Sequence, residues 1–109
     1  TTFAMPADEL VDMTGKDVVE ITSVDNNFEP RYVKVSAGAR IVWRNGGRNN
    51  HDILPDVDGA FEGVKAADMP PGATHTVTLD QPGDYPYYCS THGTMRNGMN
   101  GAIRVVPKG

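Results

Sequence analysis

The chain has one cysteine, one tryptophan and three histidines in 109 residues. A single Cys excludes an intramolecular disulfide framework, so the fold must hold by its core. Basic residues are few. Ten Lys and Arg against fourteen Asp and Glu leave a net charge of −4, which argues against nucleic acid or an anionic membrane surface as a partner. No apolar run reaches membrane-spanning length, and no secretory leader pattern is visible. Long helical periodicity is missing as well: no segment reads as a helix of more than about two turns. Turn formers are plentiful. Twelve Gly and eight Pro, spread along the chain, indicate many turns and therefore many short strands. An apolar fraction of 39% suffices for one domain of this length with a modest core.

Taken in order, residues 1–16 read as an N-terminal arm or a short helix, and 17–109 as the folded domain. From Asp17 the hydrophobic period is two. Val19 and Ile21 share one face; Tyr32-Val33-Lys34-Val35 alternates again after the Asp25-Asn26-Asn27 turn. Ile41 and Trp43 face inward while Arg40 and Arg44 point to water, so Trp43 is a core residue. Residues 56–73 form the longest irregular stretch, with a helical turn expected near Val64-Lys65-Ala66-Ala67. Val77 and Leu79, then Tyr85, Tyr87 and Cys89, then Ile103 and Val105, mark three further inward faces. The pattern predicts an all-β fold: a two-sheet antiparallel β-sandwich with Greek-key connections and seven to eight strands.

The chemistry concentrates in Cys89-Ser90-Thr91-His92-Gly93, with Met95 and Met99 downstream. A lone Cys is more often a buried hydrophobe than a ligand, but a thiolate, an imidazole and a thioether this close suit a soft, one-electron metal. A strand ending at Cys89 and turning at once would let Cys89 and His92 converge. A third donor has to come from another strand end, and His51 follows the Asn45–Asn50 loop as a loop-borne ligand should. His75 reads instead as a partly buried, hydrogen-bonded histidine. If strands 74–79 and 84–89 pair, it lies near Tyr88 and Cys89. Two nitrogens, one thiolate and a weak axial Met make a blue-copper set. Cys and His also suit zinc, although structural zinc sites usually bring more than one Cys, and Met is a poor zinc ligand.

The sequence resembles the cupredoxins of the plastocyanin/azurin family, on its plastocyanin-like bacterial branch. The matching pieces are Phe28-x-Pro30-x2-Val33-x-Val35-x2-Gly38, Trp43-x-Asn45, His51, Pro82-Gly83-x-Tyr85-x-Tyr87-x-Cys89-x2-His92 and Met99-x-Gly101-x-Ile103-x-Val105. The resemblance implies a cupredoxin-like sandwich with one type 1 copper and single-electron transfer without enzymatic turnover. It makes His51, Cys89 and His92 the strong ligands. For the axial thioether, the plastocyanin spacing falls between the two methionines available, Met95 after two residues and Met99 after six. The Met-x-Gly-x-Ile entry into the last strand favours Met99, with Met95, as in amicyanins, the alternative.

The resemblance also implies that Asp52, where plastocyanins carry Asn, ties the His51 loop to Ser90. Its charge would lower the redox potential. Asn50, whose carbonyl precedes His51, belongs to the same outer shell. The electron port would be the edge of His92, framed by Leu54, Pro55, Gly93, Thr94 and Met95. Redox partners such as a cytochrome or another copper protein are implied, with Asp56, Asp58 and Glu62 as a patch for a basic one. A monomer in an extracytoplasmic compartment (periplasm, cell surface or thylakoid lumen) is expected. The competing readings are a copper-binding or delivery module, which would favour an open site, and the copper domain of a larger redox enzyme.

Overall fold

A computed structural model describes residues 5–93 and 98–108. Among these, nine strands form two facing sheets: β1 (Leu10–Asp12), β2 (Val18–Val24), β3 (Asn27–Glu29), β4 (Tyr32–Ser36), β5 (Ala39–Asn45), β6 (Leu54–Pro55), β7 (Thr74–Leu79), β8 (Gly83–Gly93) and β9 (Gly98–Val106). One sheet runs β1-β4-β9-β8-β6 and the other β3-β2-β5-β7. The only helical pieces described are single 3-10 turns, Ala7–Glu9 and Ala66–Asp68. The strand count exceeds the expected seven to eight because β1, β3 and β6 are two or three residues long. Segments that short have no period of their own and become strands only through their partners.

Pairing also departs from the expected antiparallel pattern. β1–β4, β4–β9 and β2–β5 are parallel. Alternation specifies which face is buried, not which neighbour a strand takes. β4 and β5 follow each other in sequence yet lie in opposite sheets, so their neighbours come from crossovers. Likewise β7 pairs with β5 and not with β8, which puts His75 opposite Trp43 rather than beside Tyr88. The turn at 80–83 passes from one sheet to the other.

The core lies between the sheets. Val19, Ile21, Phe28, Val33, Val35, Ile41, Trp43, Tyr87, Cys89, Met99 and Ile103 are all essentially inaccessible. Burying each large apolar side chain of this kind contributes roughly 1.5–3 kcal/mol. Trp43 sits at the centre, stacked on Phe61 at 5.3 Å and met edge-on by Tyr87 at 5.3 Å. Parallel pairing of β2 with β5 brings the ends of both strands, Val24 and Asn45, to the same pole as the far end of β8.

Candidate metal centre

Cys89 is aimed by the pleat of β8. Tyr87 and Cys89 are both buried on the face toward the other sheet, while Ser90 and Thr91 are exposed. The strand does not stop at Cys89, as the sequence suggests, but runs on to Gly93 through a break in register. Tyr88 pairs with Asn100 and Gly93 with Gly98, so residues 89–92 stand against Met99 alone. An irregularity of this kind re-aims side chains, and it turns His92 back toward Cys89. Gly98 closes the feature. Its φ is +84°, and a Cβ there would stand 2.5 Å from the carbonyl oxygen of His92. Only glycine permits so close a return.

His51 arrives from the other sheet on the loop after β5. Asn45, buried at the end of β5, organises that loop with its side chain. Its Nδ2 donates to the carbonyls of Asn49 (2.8 Å) and Met69 (2.9 Å), and its Oδ1 accepts from the amide of Gly47 (3.0 Å). Beyond the histidine, Ile53 and Val64 exchange two backbone hydrogen bonds of 3.0 Å. His51 is thereby held fully buried between two anchored points.

Three donors converge. Cys89 Sγ lies 3.7 Å from His51 Nδ1 and 3.9 Å from His92 Nδ1. All three ligand atoms fall within 4.8 Å of one another, and no other such group of three His, Cys, Asp or Glu occurs among the described residues. An ion bonded at about 2.3 Å to sulfur and about 2.0 Å to nitrogen would space those atoms about 3.7 Å apart in a trigonal plane. The donor set therefore fits a metal that accepts one thiolate and two imidazoles.

Without metal, burial pushes the Cys89 thiol up. Burial also pushes His51 down, opposed by a hydrogen bond to Asp25. A neutral imidazole keeps a lone pair for a cation, and a bound cation favours the thiolate. Asp25 itself is held below the usual carboxylate range, chiefly by the backbone amide of Arg48.

The outer residues are arranged as follows. Asp52 Oδ1 accepts from the Ser90 amide at 2.7 Å and its Oδ2 accepts from the Ser90 hydroxyl, joining the two ligand-bearing segments. The exposed Asn50 side chain donates to the carbonyl of Ala66 at 2.9 Å. Met99 is fully buried in the same core cluster as Cys89. His92 and Gly93 are half-buried, as are Leu54 and Pro55, which pair with Tyr88 and Tyr87. Met95 and Thr94 lie outside the described residues. His75 stacks on Trp43 at 6.0 Å and its Nε2 donates to the Glu62 carbonyl at 2.7 Å. One residue that the sequence does not mark as part of the site is Asp25, whose Oδ1 lies 3.3 Å from His51 Nε2. Its only sequence signal is that of a turn.

Comparison with known proteins agrees with this geometry. Plastocyanin of Vicia faba is 39% identical over 87 residues, covering 72% of this chain and 86% of that protein. In fold the chain is similar to a copper-containing nitrite reductase of Thermus scotoductus (TM-score 0.73, 23% identity, 91% of this chain). It spans only 28% of the length of that enzyme. An amicyanin variant in the reduced state gives a TM-score of 0.68 at 21% identity, covering 82% of each chain. The family described as copper binding proteins, plastocyanin/azurin family, matches residues 15–106. That match takes in every strand from β2 to β9 and all three converging donors, and by it the chain belongs to the plastocyanin/azurin family of copper-binding proteins.

Proposed function

We propose that the protein is an electron carrier. It holds one type 1 copper through His51, Cys89 and His92, with the Met99 thioether as a weak axial donor. The observation that carries this reading is the convergence of one thiol and two imidazoles within 4.8 Å, with Cys89 and His51 sealed from solvent. Copper supplies a one-electron couple, and a mixed sulfur and nitrogen set lies between the preferences of its two oxidation states. The protein's part is to keep that set from moving. Asn45 fixes the His51 loop, Asp52 pins it to Ser90, and Gly98 locks the segment that carries His92. Half-buried His92 offers a ring edge at the surface, beside Leu54, Pro55 and Gly93. This apolar border is the port through which a redox partner, a cytochrome or another copper protein, exchanges electrons. Exposed Asp56, Asp58 and Glu62 favour a basic partner.

A closed, buried donor set disfavours a delivery role, which needs metal to exchange readily. Enzymatic turnover is not part of the reading. A second reading, an electron-relay domain within a larger redox enzyme, draws on the fold likeness to the nitrite reductase. An extracytoplasmic compartment suits both, because the thiol pool of a reducing cytosol competes for copper and holds it reduced.

The test is to titrate Cu(II) into the purified protein and record absorption and electron paramagnetic resonance. One equivalent should give an intense thiolate-to-copper band and a narrow copper hyperfine splitting. A colourless protein that prefers zinc would overturn the proposal.

A further inference from the structure

We propose that Asp25 is a positioning residue of the copper site, its carboxylate fixing the tautomer and ring plane of His51 and biasing the site toward the oxidised metal. This rests on the copper reading above. Asp25 lies in the turn between β2 and β3, 26 residues before the histidine. One oxygen, Oδ1, receives three N–H groups: the amide of Arg48 at 2.7 Å, the amide of Asn49 at 3.2 Å and the His51 ring at 3.3 Å. The loop from Asn45 to His51 is thus wrapped around a single carboxylate oxygen.

Gly47 gives an independent sign of this fit. A Cβ at that position would stand 2.2 Å from Asp25 Oδ1 and 3.1 Å from the Asp25 amide nitrogen. The loop can cover Asp25 only because residue 47 has no side chain.

The chemistry follows from the direction of the bond. A carboxylate accepts and cannot donate, so Nε2 of His51 must carry the proton. In the neutral ring Nδ1 then holds the lone pair, and Nδ1 is the atom that faces Cys89 Sγ at 3.7 Å. A carboxylate behind a metal-bound imidazole also raises its basicity. More electron density on the ligand, and a negative charge close by, favour the more highly charged Cu(II) over Cu(I). Asp25 is about one third exposed (34%) while His51 is fully buried. The imidazole is therefore the conduit by which a surface charge acts on an enclosed centre. Asp52 does something different: both its oxygens engage Ser90.

The bland alternative is a turn cap, in which Asp25 only holds the amides of Arg48 and Asn49. Asp25→Asn separates the two roles, because Asn retains an acceptor oxygen for the amides and loses the charge. The experiment measures the midpoint potential of wild type, Asp25→Asn and Asp25→Ala. It also records the His51 ring nitrogens by NMR in the metal-free and Cu(I) proteins. Asp25→Asn should keep one blue copper and raise the potential, by about 59 mV for each tenfold shift in relative affinity toward Cu(I). Asp25→Ala should weaken copper binding about 10–100-fold and populate the Nδ1–H tautomer in the metal-free protein. An unchanged potential in Asp25→Asn, or a ring still protonated only at Nε2 in Asp25→Ala, overturns the inference. If wild type forms no blue centre, the copper reading fails instead, and the ring tautomer of the metal-free protein still decides for or against Asp25.

Discussion

The two poles of the sandwich are closed in opposite ways. At the far pole, around residues 13–17, 36–39 and 79–83, backbone bonds close the chain and the side-chain bonds beside them, such as Tyr85 Oη to the Gln81 carbonyl, are exposed. Ala37 donates to Val106, Gly38 to Leu79 and Met13 to Lys34, each at 2.8 Å. At the metal pole the closure depends on buried polar side chains. Ser23, Asn45, His51, Asp52 and Asn100, the buried polar residues among those described, all lie at that end. Ser23 Oγ has no hydrogen-bond partner among the described residues. A buried polar group left in that state costs about 1–3 kcal/mol. One pole is built by the rules that make a sandwich stable. The other relies on buried polar side chains, of which Asn45 and Asp52 hold the donor-bearing segments in place.

Asn45 gives the largest expected test of this contrast. Asn45→Ala removes three hydrogen bonds of 2.8–3.0 Å and leaves the Met69 carbonyl with only a long bond from the His51 amide, at 3.4 Å. It should destabilise the metal-free protein by about 2–3 kcal/mol, as measured by denaturant unfolding. The far-pole counterpart is Ser36→Ala, which removes one exposed bond from the Gly15 amide at 3.0 Å. That change should cost only about 0.5 kcal/mol or less. Equal losses would break the comparison, since polar side chains would then matter no more at one end than at the other.

The axial position sharpens the contrast within the metal pole. Met99 stands opposite residues 89–92 in the register and is fully buried. Met99→Gln should shift the midpoint potential and the charge-transfer spectrum strongly, and Met95→Gln only weakly. Equilibrium redox titration beside absorption spectroscopy measures both. A strong response from Met95→Gln with a weak one from Met99→Gln would reassign the ligand and make Met99 ordinary core.

What could be read from the sequence follows the same division. Ile41 and Trp43 alternate with two arginines, and that local pattern places them inside whatever the neighbours are. The approach of Cys89 and His92 is legible in their spacing. The bulged path that achieves it is not, because it depends on β9 returning at Gly98. β6 is only Leu54–Pro55, and nothing in two residues announces a strand; Tyr87 and Tyr88 make it one. Pairing direction was equally hidden, since a period of two carries no information about partners. Asp25 is the extreme case. In sequence it is a turn residue, and its contact with His51 exists only once β2 and β5 lie side by side in parallel.

The smallest expected effect belongs to the far pole, at Asp12, the last residue of β1. Its Oδ1 accepts from the hydroxyl of Thr14 at 2.7 Å and the amide of Thr14 at 3.0 Å, and Oδ2 lies 3.7 Å from Lys34 Nζ. The Thr14 hydroxyl bond, first among these, lowers the Asp12 pKa below its ordinary value. A carboxyl depressed in the folded state binds fewer protons there than in the unfolded chain. Its contribution is therefore complete above the ordinary aspartate pKa of about 3.9 and fades as pH falls through the depressed value. Between about pH 5 and 8 the gap between wild type and Asp12→Asn should be small and flat. Below about pH 4 it should narrow, because the protonated carboxyl loses the advantage that the amide never had. Denaturant unfolding of the metal-free proteins across that range reads the gap directly. A gap that stays constant into strong acid would mean that the turn is held by its backbone alone. The far pole would then be closed without help from any charged side chain at this turn, and the difference between the two ends would be wider than these hydrogen bonds imply.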